Sequence, residues 1–160
     1  MAIVGFEFTK IHVQKQETAQ GKINISNNVG ITDIRKADLE LGKTKQNAIK
    51  FVFEYRSLYE PNFARIELEG TILYLTDEKS AKEILDGWDN EKKMSKDVAE
   101  KIINTILTKA NIQSIILSNT VNLPPPVPMP KVNVTAAVPQ APKEEKKKED
   151  KKDKQESLKK

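Results

Sequence analysis

Between Ile49 and Thr76 apolar and polar residues alternate twice, with a proline in the gap, and few folds satisfy that pattern. Ile49, Phe51, Phe53, Tyr55 and Tyr59 alternate with Lys50, Val52, Glu54, Arg56 and Glu60. Beyond Glu60-Pro61-Asn62-Phe63, residues Ile66, Leu68, Gly70, Ile72 and Tyr74 alternate with Arg65, Glu67, Glu69 and Thr71. A period of two is that of a strand buried on one face, so the stretch predicts a β-hairpin with an aromatic stripe. The apolar positions are odd in the first strand and even in the second, so the loop holds an even number of residues. A two-residue loop would put Pro61 where φ must be positive, which its ring forbids. A four-residue loop, Glu60 to Phe63, remains. It pairs Tyr59 with Ala64, Tyr55 with Leu68, Phe53 with Gly70 and Ile49 with Tyr74. On the other face Arg56 stands opposite Glu67, a favourable pair, while Glu54 opposite Glu69 needs a cation such as Arg56 or Lys50. Phe53 beside Gly70 lets a large ring cover bare backbone.

Upstream, residues 3–16 read as a first strand. Phe6 and Phe8 share one face, and Ile11 and Val13 fall on the opposite parity. A bulge near Thr9-Lys10, or cover on both faces, accounts for the switch. After a polar turn from Gln16 to Gly21, a second strand starts at Lys22, with Ile23, Ile25, Val29 and Ile31 in phase. It is interrupted at Asn27-Asn28 and loses phase at Ile34, before a turn at Gly42-Lys43-Thr44. With the hairpin this makes four successive strands, most simply an antiparallel meander.

From Asp77 the period changes. Asp77 is a helix cap, and Ala81, Ile84, Leu85 and Trp88 recur at helical spacing until Asp89-Asn90. A second helix starts at Ser95, with Asp97 in its first turn, where negative charge suits the helix dipole. Val98, Ile102, Ile103, Ile106, Leu107 and Ala110 form its apolar stripe, continued by Ile116 and Leu117. At 1.5 Å per residue such a helix is about 35 Å long, which matches strands of about eleven residues. The fold class is therefore α+β: a four-stranded antiparallel sheet followed by a short helix and a long helix packed on it.

The folded domain is expected over residues 1–123. Seven of the eight prolines lie between Pro124 and Pro142, and residues 124–142 read as an extended Pro-rich segment. The Lys/Glu tract 143–160 is expected to be disordered, since it has almost nothing apolar to bury. Its nine lysines and six acids leave 18 basic against 17 acidic residues elsewhere, so the folded part is nearly neutral. Its charge gives no reason to expect nucleic acid as a partner. The aromatic stripe would suit base stacking, but no Arg or Lys interleaves on its parity, and core burial is the preferred assignment.

Catalytic patterns are missing. The chain has no cysteine and a single histidine, His12, which excludes a Cys/His zinc site within one chain. His12 has no acidic partner nearby in sequence. The six glycines form no phosphate loop. Asp86 to Glu91 carries calcium-type oxygens without EF-hand spacing. An enzyme, a metal and a cofactor are not expected. The N-terminus lacks a basic region followed by an apolar core, and no run approaches the roughly 18 apolar residues of a membrane span. A cytoplasmic address follows as the expectation.

Near the start, Phe8-Thr9-Lys10-Ile11-His12-Val13, and after the long helix Ile112 to Pro125, ending in Val121-Asn122-Leu123-Pro124-Pro125, resemble segments of the SecB family of polypeptide-binding chaperones. The order of elements is similar over about residues 3 to 126. Three departures stand beside it. Met94-Ser95-Lys96-Asp97 replaces the family's Pro-Asn and Phe-Pro-rich helix start, and a short helix around Trp88 replaces its Gly-rich crossover. The lysine-rich tail replaces an acidic one that docks the SecA motor, so that partnership is not carried over. The resemblance implies a homo-oligomer, commonly a dimer of dimers, that holds non-native chains in apolar grooves without ATP.

The functional expectation is thus an ATP-independent holdase for unfolded or nascent polypeptides, with protein export among its possible settings. The alternative is an RNA- or ribosome-associated protein using the basic tail. Candidate groove residues are Phe53, Tyr55, Leu58, Tyr59, Ile84, Leu85 and Trp88. Core burial is the preferred assignment for Phe53, Tyr55, Ile84 and Leu85. Trp88, where the short helix's stripe ends, and Tyr59, at the hairpin's loop end, are the preferred surface positions.

Overall fold

The computed structural model describes residues 1–16, 21–41 and 44–130, with backbone alone at 39–41, 44 and 45. The tract 143–160 and the Pro-rich residues after Pro130 lie outside the described residues. Strands β1 (Ala2–Lys15), β2 (Asn24–Leu41), β3 (Thr44–Glu60) and β4 (Ala64–Leu75) precede helices α1 (Glu78–Glu91) and α2 (Lys96–Thr120). This is the predicted α+β architecture.

The meander runs through β2, β3 and β4, and β1 pairs with the far side of β4, giving the order β1-β4-β3-β2. The hairpin strands, with the densest apolar stripes, therefore take the two central positions. Their register is the one the alternation requires: Tyr59↔Ala64, Tyr55↔Leu68, Phe53↔Gly70 and Ile49↔Tyr74. In β1 the pairing shifts between Phe8 and Lys10, which brings Val13 back opposite Ile66 on the core face. A second shift in β1 lies between Ile3 and Gly5. The phase loss in β2 is a bulge between Ile31 and Asp33, after which Ile34 faces Phe51. A bulge adds one residue to one strand, and that residue restores the apolar parity.

Asp77 caps α1, its carboxylate accepting from the Ser80 amide at 2.9 Å and from the Ser80 hydroxyl at 2.8 Å. Ser95 stands at the N-cap of α2 but makes no side-chain cap bond. On α2 every fourth residue is buried: Val98, Ile102, Ile106, Ala110, Ser114 and Ser118. Four residues turn about 400°, so this ridge winds slowly around the helix as it crosses the sheet. Helix α1 lies over β2 and β3, and α2 over β4, β3 and β2. Together they cover Ile49, Phe51, Phe53, Tyr55, Ile66, Leu68 and Ile72, all fully buried.

The opposite face of the sheet is charged. Lys10 lies 3.0 Å from Glu69 and 3.7 Å from Glu67, and Arg56 lies 2.9 Å from Glu54. The Glu54–Glu69 juxtaposition is thus relieved by Arg56 on one side and by Lys10 of β1 on the other. Exposed pairs of this kind contribute about 0–1 kcal/mol, so the sheet is held mainly by the core beneath it.

At Gly70 a Cβ would lie 2.3 Å from the Glu7 carbonyl oxygen and 2.6 Å from the Phe53 ring. At Gly30 the same atom would meet nothing within 4 Å. Gly70→Ala should therefore destabilise the domain by about 1–3 kcal/mol, the usual cost of overpacking, whereas Gly30→Ala should stay within about 0.5 kcal/mol of the parent. Urea midpoints of the two variants check this pair of outcomes.

Candidate functional site

The apolar parity of β2 and β3 is broken at two positions that face each other. Asn27 pairs with Ser57, between Ile25↔Tyr59 and Val29↔Tyr55. On the core side this puts a patch of polar atoms among aromatic rings. The Ser57 hydroxyl donates to Asn27 Oδ1 at 2.7 Å or to the Tyr55 hydroxyl at 3.1 Å, and Tyr55 donates to Asn111 Oδ1 of α2 at 3.1 Å. Above it the buried ridge of α2 shrinks from isoleucine to Ala110, Ser114 and Ser118. The two serines satisfy their hydroxyls on their own helix, at the Asn111 and Ile115 carbonyls.

The chain leaving α2 folds back onto this patch. Asn122 takes φ 53°, in the left-handed region that asparagine tolerates, and the Leu123 amide donates back to the Ser118 carbonyl at 2.8 Å. Leu123 is buried, as is Pro126 three residues on, while Pro124 and Pro125 are exposed. Positions 123 and 126 are three apart, the repeat of a polyproline II turn, and the chain bends at 126 and 127. The Tyr59 hydroxyl donates to the Pro124 carbonyl at 2.7 Å, and Asn27 Nδ2 donates to the Pro126 carbonyl at 2.7 Å. Lys15 Nζ donates to the Val121 carbonyl at 3.0 Å and the Asn122 carbonyl at 3.2 Å, and lies over the Phe63 ring.

Beside this strap, at the loop end of the hairpin, a cleft of about 420 Å³ is lined by Gln14, Gln16, Leu58, Tyr59, Phe63 and Arg65 among others. Tyr59 is common to the cleft and the strap. Its ring is fully buried, and loss of hydration, reinforced by Tyr55 nearby, pushes its phenol up to about 12. The phenol is therefore neutral at ordinary pH and able to donate.

The sequence-derived candidates divide among these surroundings. Phe53 is enclosed by Phe6 and Phe8, with ring centroids at 5.2 and 6.2 Å. Tyr55 is enclosed by the polar patch. Tyr59 joins cleft and strap, and half-buried Leu58 lines the cleft from the other face of the sheet. Ile84, Leu85 and Trp88 sit on α1, with Ile84 5% and Trp88 9% exposed. Lys92 lies over the Trp88 indole at 5.2 Å. In the isolated chain Trp88 is thus a covered side chain.

Asn27, Ser57, Lys15 and the carbonyls of the strap escape sequence reasoning. A signal was present: Ser57 interrupts the odd-numbered apolar series of β3, and Asn27 interrupts that of β2. Neither position says which way the chain after α2 turns, so their meeting is invisible in one dimension.

No protein-family model and no curated protein matches the sequence. Among solved structures the chain is similar to a SecB-like chaperone of Mycobacterium tuberculosis in complex with a ChAD peptide from an antitoxin. The identity is 9% and the TM-score 0.46, with 84% of this chain and 92% of that chain covered. No helix among the described residues is long and apolar enough to cross a membrane, and no group of three or more His, Cys, Asp or Glu is placed there to hold a metal ion.

The elevated pKa of Tyr59 has a defined consequence. An unfolded tyrosine titrates near 10, so the stability this phenol contributes is complete below that pH and is lost as pH rises through about 12. Tyr59→Phe should remove part of the alkaline loss in the urea midpoint and lower neutral-pH stability by about 1 kcal/mol, the net worth of one hydrogen bond. Spectrophotometric titration near 295 nm should show one fewer late-titrating phenol in the variant.

Proposed function

We propose that this protein is an ATP-independent, holdase-type chaperone that binds unfolded or nascent polypeptide. One observation carries the reading: the domain already holds the chain that leaves α2 by its main-chain carbonyls, through Tyr59, Asn27 and Lys15. Carbonyls are common to all polypeptides, so donors aimed at them grip a chain without reading its side chains. Apolar surface beside them supplies the rest of the affinity through many weak contacts.

The groove assigned to this role is the cleft at Leu58 and Tyr59, continuous through Tyr59 with the strap's seat. Phe53, Tyr55 and Ile84 form the core that supports it. Half-buried Leu85 and covered Trp88 on α1 are assigned a secondary contact with the client. Self-association draws support from another surface. Ile112 and Ile116, one turn apart on the outer side of α2, are 56% and 53% exposed, and Ile11 on edge strand β1 is 50% exposed. A homo-oligomer would cover them. The RNA-binding alternative depends on the tract 143–160, outside the described residues.

Purified protein should suppress aggregation of a denatured client at near-stoichiometric amounts without nucleotide, and the effect should persist at moderate salt. No suppression at several-fold excess overturns the reading. Removing residues 131–160 should leave the activity largely intact; its complete loss would move the function to the tail.

A further inference from the structure

The seat of the strap has an unusual chemical bias. The Tyr59 hydroxyl and Asn27 Nδ2 donate to the Pro124 and Pro126 carbonyls of the strap, and Lys15 donates to the Val121 and Asn122 carbonyls in the turn just before it. Asn27 Oδ1 lies 2.7 Å from the Ser57 hydroxyl and is occupied by it. Against these donors lies a segment whose residues 124, 125 and 126 are all proline and bring no main-chain N–H. Pro124 and Pro125 are exposed, so the bias acts at the buried position 126, where a residue other than proline would bring an N–H that has to find an acceptor. Two further features fit the same ligand. The buried positions 123 and 126 follow the three-residue turn of polyproline II, and proline-rich chain is ordered before it binds, which lowers the entropy cost.

Resting on the chaperone reading above, we propose that this seat is a binding site for extended, proline-containing polypeptide segments, and that residues 123–127 are its resident occupant, in competition with such segments from other chains. The strap is then a built-in competitor. A client segment rich in carbonyls and poor in N–H groups displaces it, gains the same donors, and extends into the cleft through Tyr59. Segments without proline bind at the cleft alone and leave the strap in place.

The test uses the full chain and a fluorescein-labelled peptide of residues 121–130 as probe. Replacing the occupant while sparing the donors, with Pro124→Gly, Pro125→Gly and Pro126→Gly together, should raise the peptide's affinity at least tenfold over the parent. Adding Asn27→Ala to that triple variant should lower it again at least fivefold, and a peptide with alanine at all its proline positions should bind the triple variant at least fivefold more weakly. Equal affinity for parent and triple variant, or indifference to proline, overturns the proposal. Should the triple variant not fold, the parent decides. Excess peptide must then accelerate exchange of the Val127 and Met129 amides, and unchanged exchange at millimolar peptide overturns the displacement. Peptide binding without aggregation suppression would remove the chaperone reading and leave the site; suppression without peptide binding would do the reverse.

Discussion

Strand β1 and the Phe53 ring both come close to β4 because position 70 has no side chain. The ring of Phe53 lies where the Cβ would be, and the Glu7 carbonyl of β1 comes still closer to that point. Phe6 and Phe8 of β1 then pack on the same ring. One glycine therefore serves three strands: from β4 it seats the central aromatic of β3 and lets β1 approach. The bulge between Phe8 and Lys10 is needed for the same reason, since without it the second half of β1 would turn its apolar residues to the charged face.

The two ends of the core differ in chemistry. Around Ile49, Phe51 and Ile72 it is built of large side chains, with the Tyr74 ring beside Phe51. Around Tyr55 and Tyr59 it contains Ser57, Ser114 and Ser118, all buried. Buried polar groups are tolerable only when paired, and this set is paired almost completely. Thr76 Oγ1 is the one buried side-chain polar atom without a partner among the described residues. Asn27 Nδ2 obtains its acceptor from the strap, so the fold-back of the chain after α2 completes a network begun within the sheet. A strap that satisfies the sheet in this way is also a model of what the sheet can hold.

This division separates the surfaces by task. The charged face of the sheet, with its interleaved Lys10, Glu54, Arg56, Glu67 and Glu69, is water-facing and nearly balanced. The outer side of α2 carries Ile112 and Ile116, an apolar pair suited to another folded surface. The hairpin's loop end combines a cleft, a neutral buried phenol and main-chain contacts, which suits a flexible chain.

Much of this was legible before any coordinates. The parity of Ile49 to Tyr74 and the ring of Pro61 determined the hairpin register residue by residue, because side-chain period and turn sterics are local. Asp77, Ala81 and the Val98-to-Ala110 ridge marked the helices in the same local way. The partner of β1 was not legible: strand adjacency depends on long-range packing, and the bare backbone at Gly70 decides it only once Glu7 and Phe8 arrive there. The meeting of Asn27, Ser57, Tyr59 and the Pro124–Pro126 carbonyls was equally hidden, since it joins three regions up to 99 residues apart. The sequence by itself determined the elements, the register of the central hairpin and which faces are apolar. Only the tertiary structure decided that the proline-rich exit lies on the sheet, because that contact is made of hydrogen bonds to backbone carbonyls, which every residue carries and no sequence pattern marks.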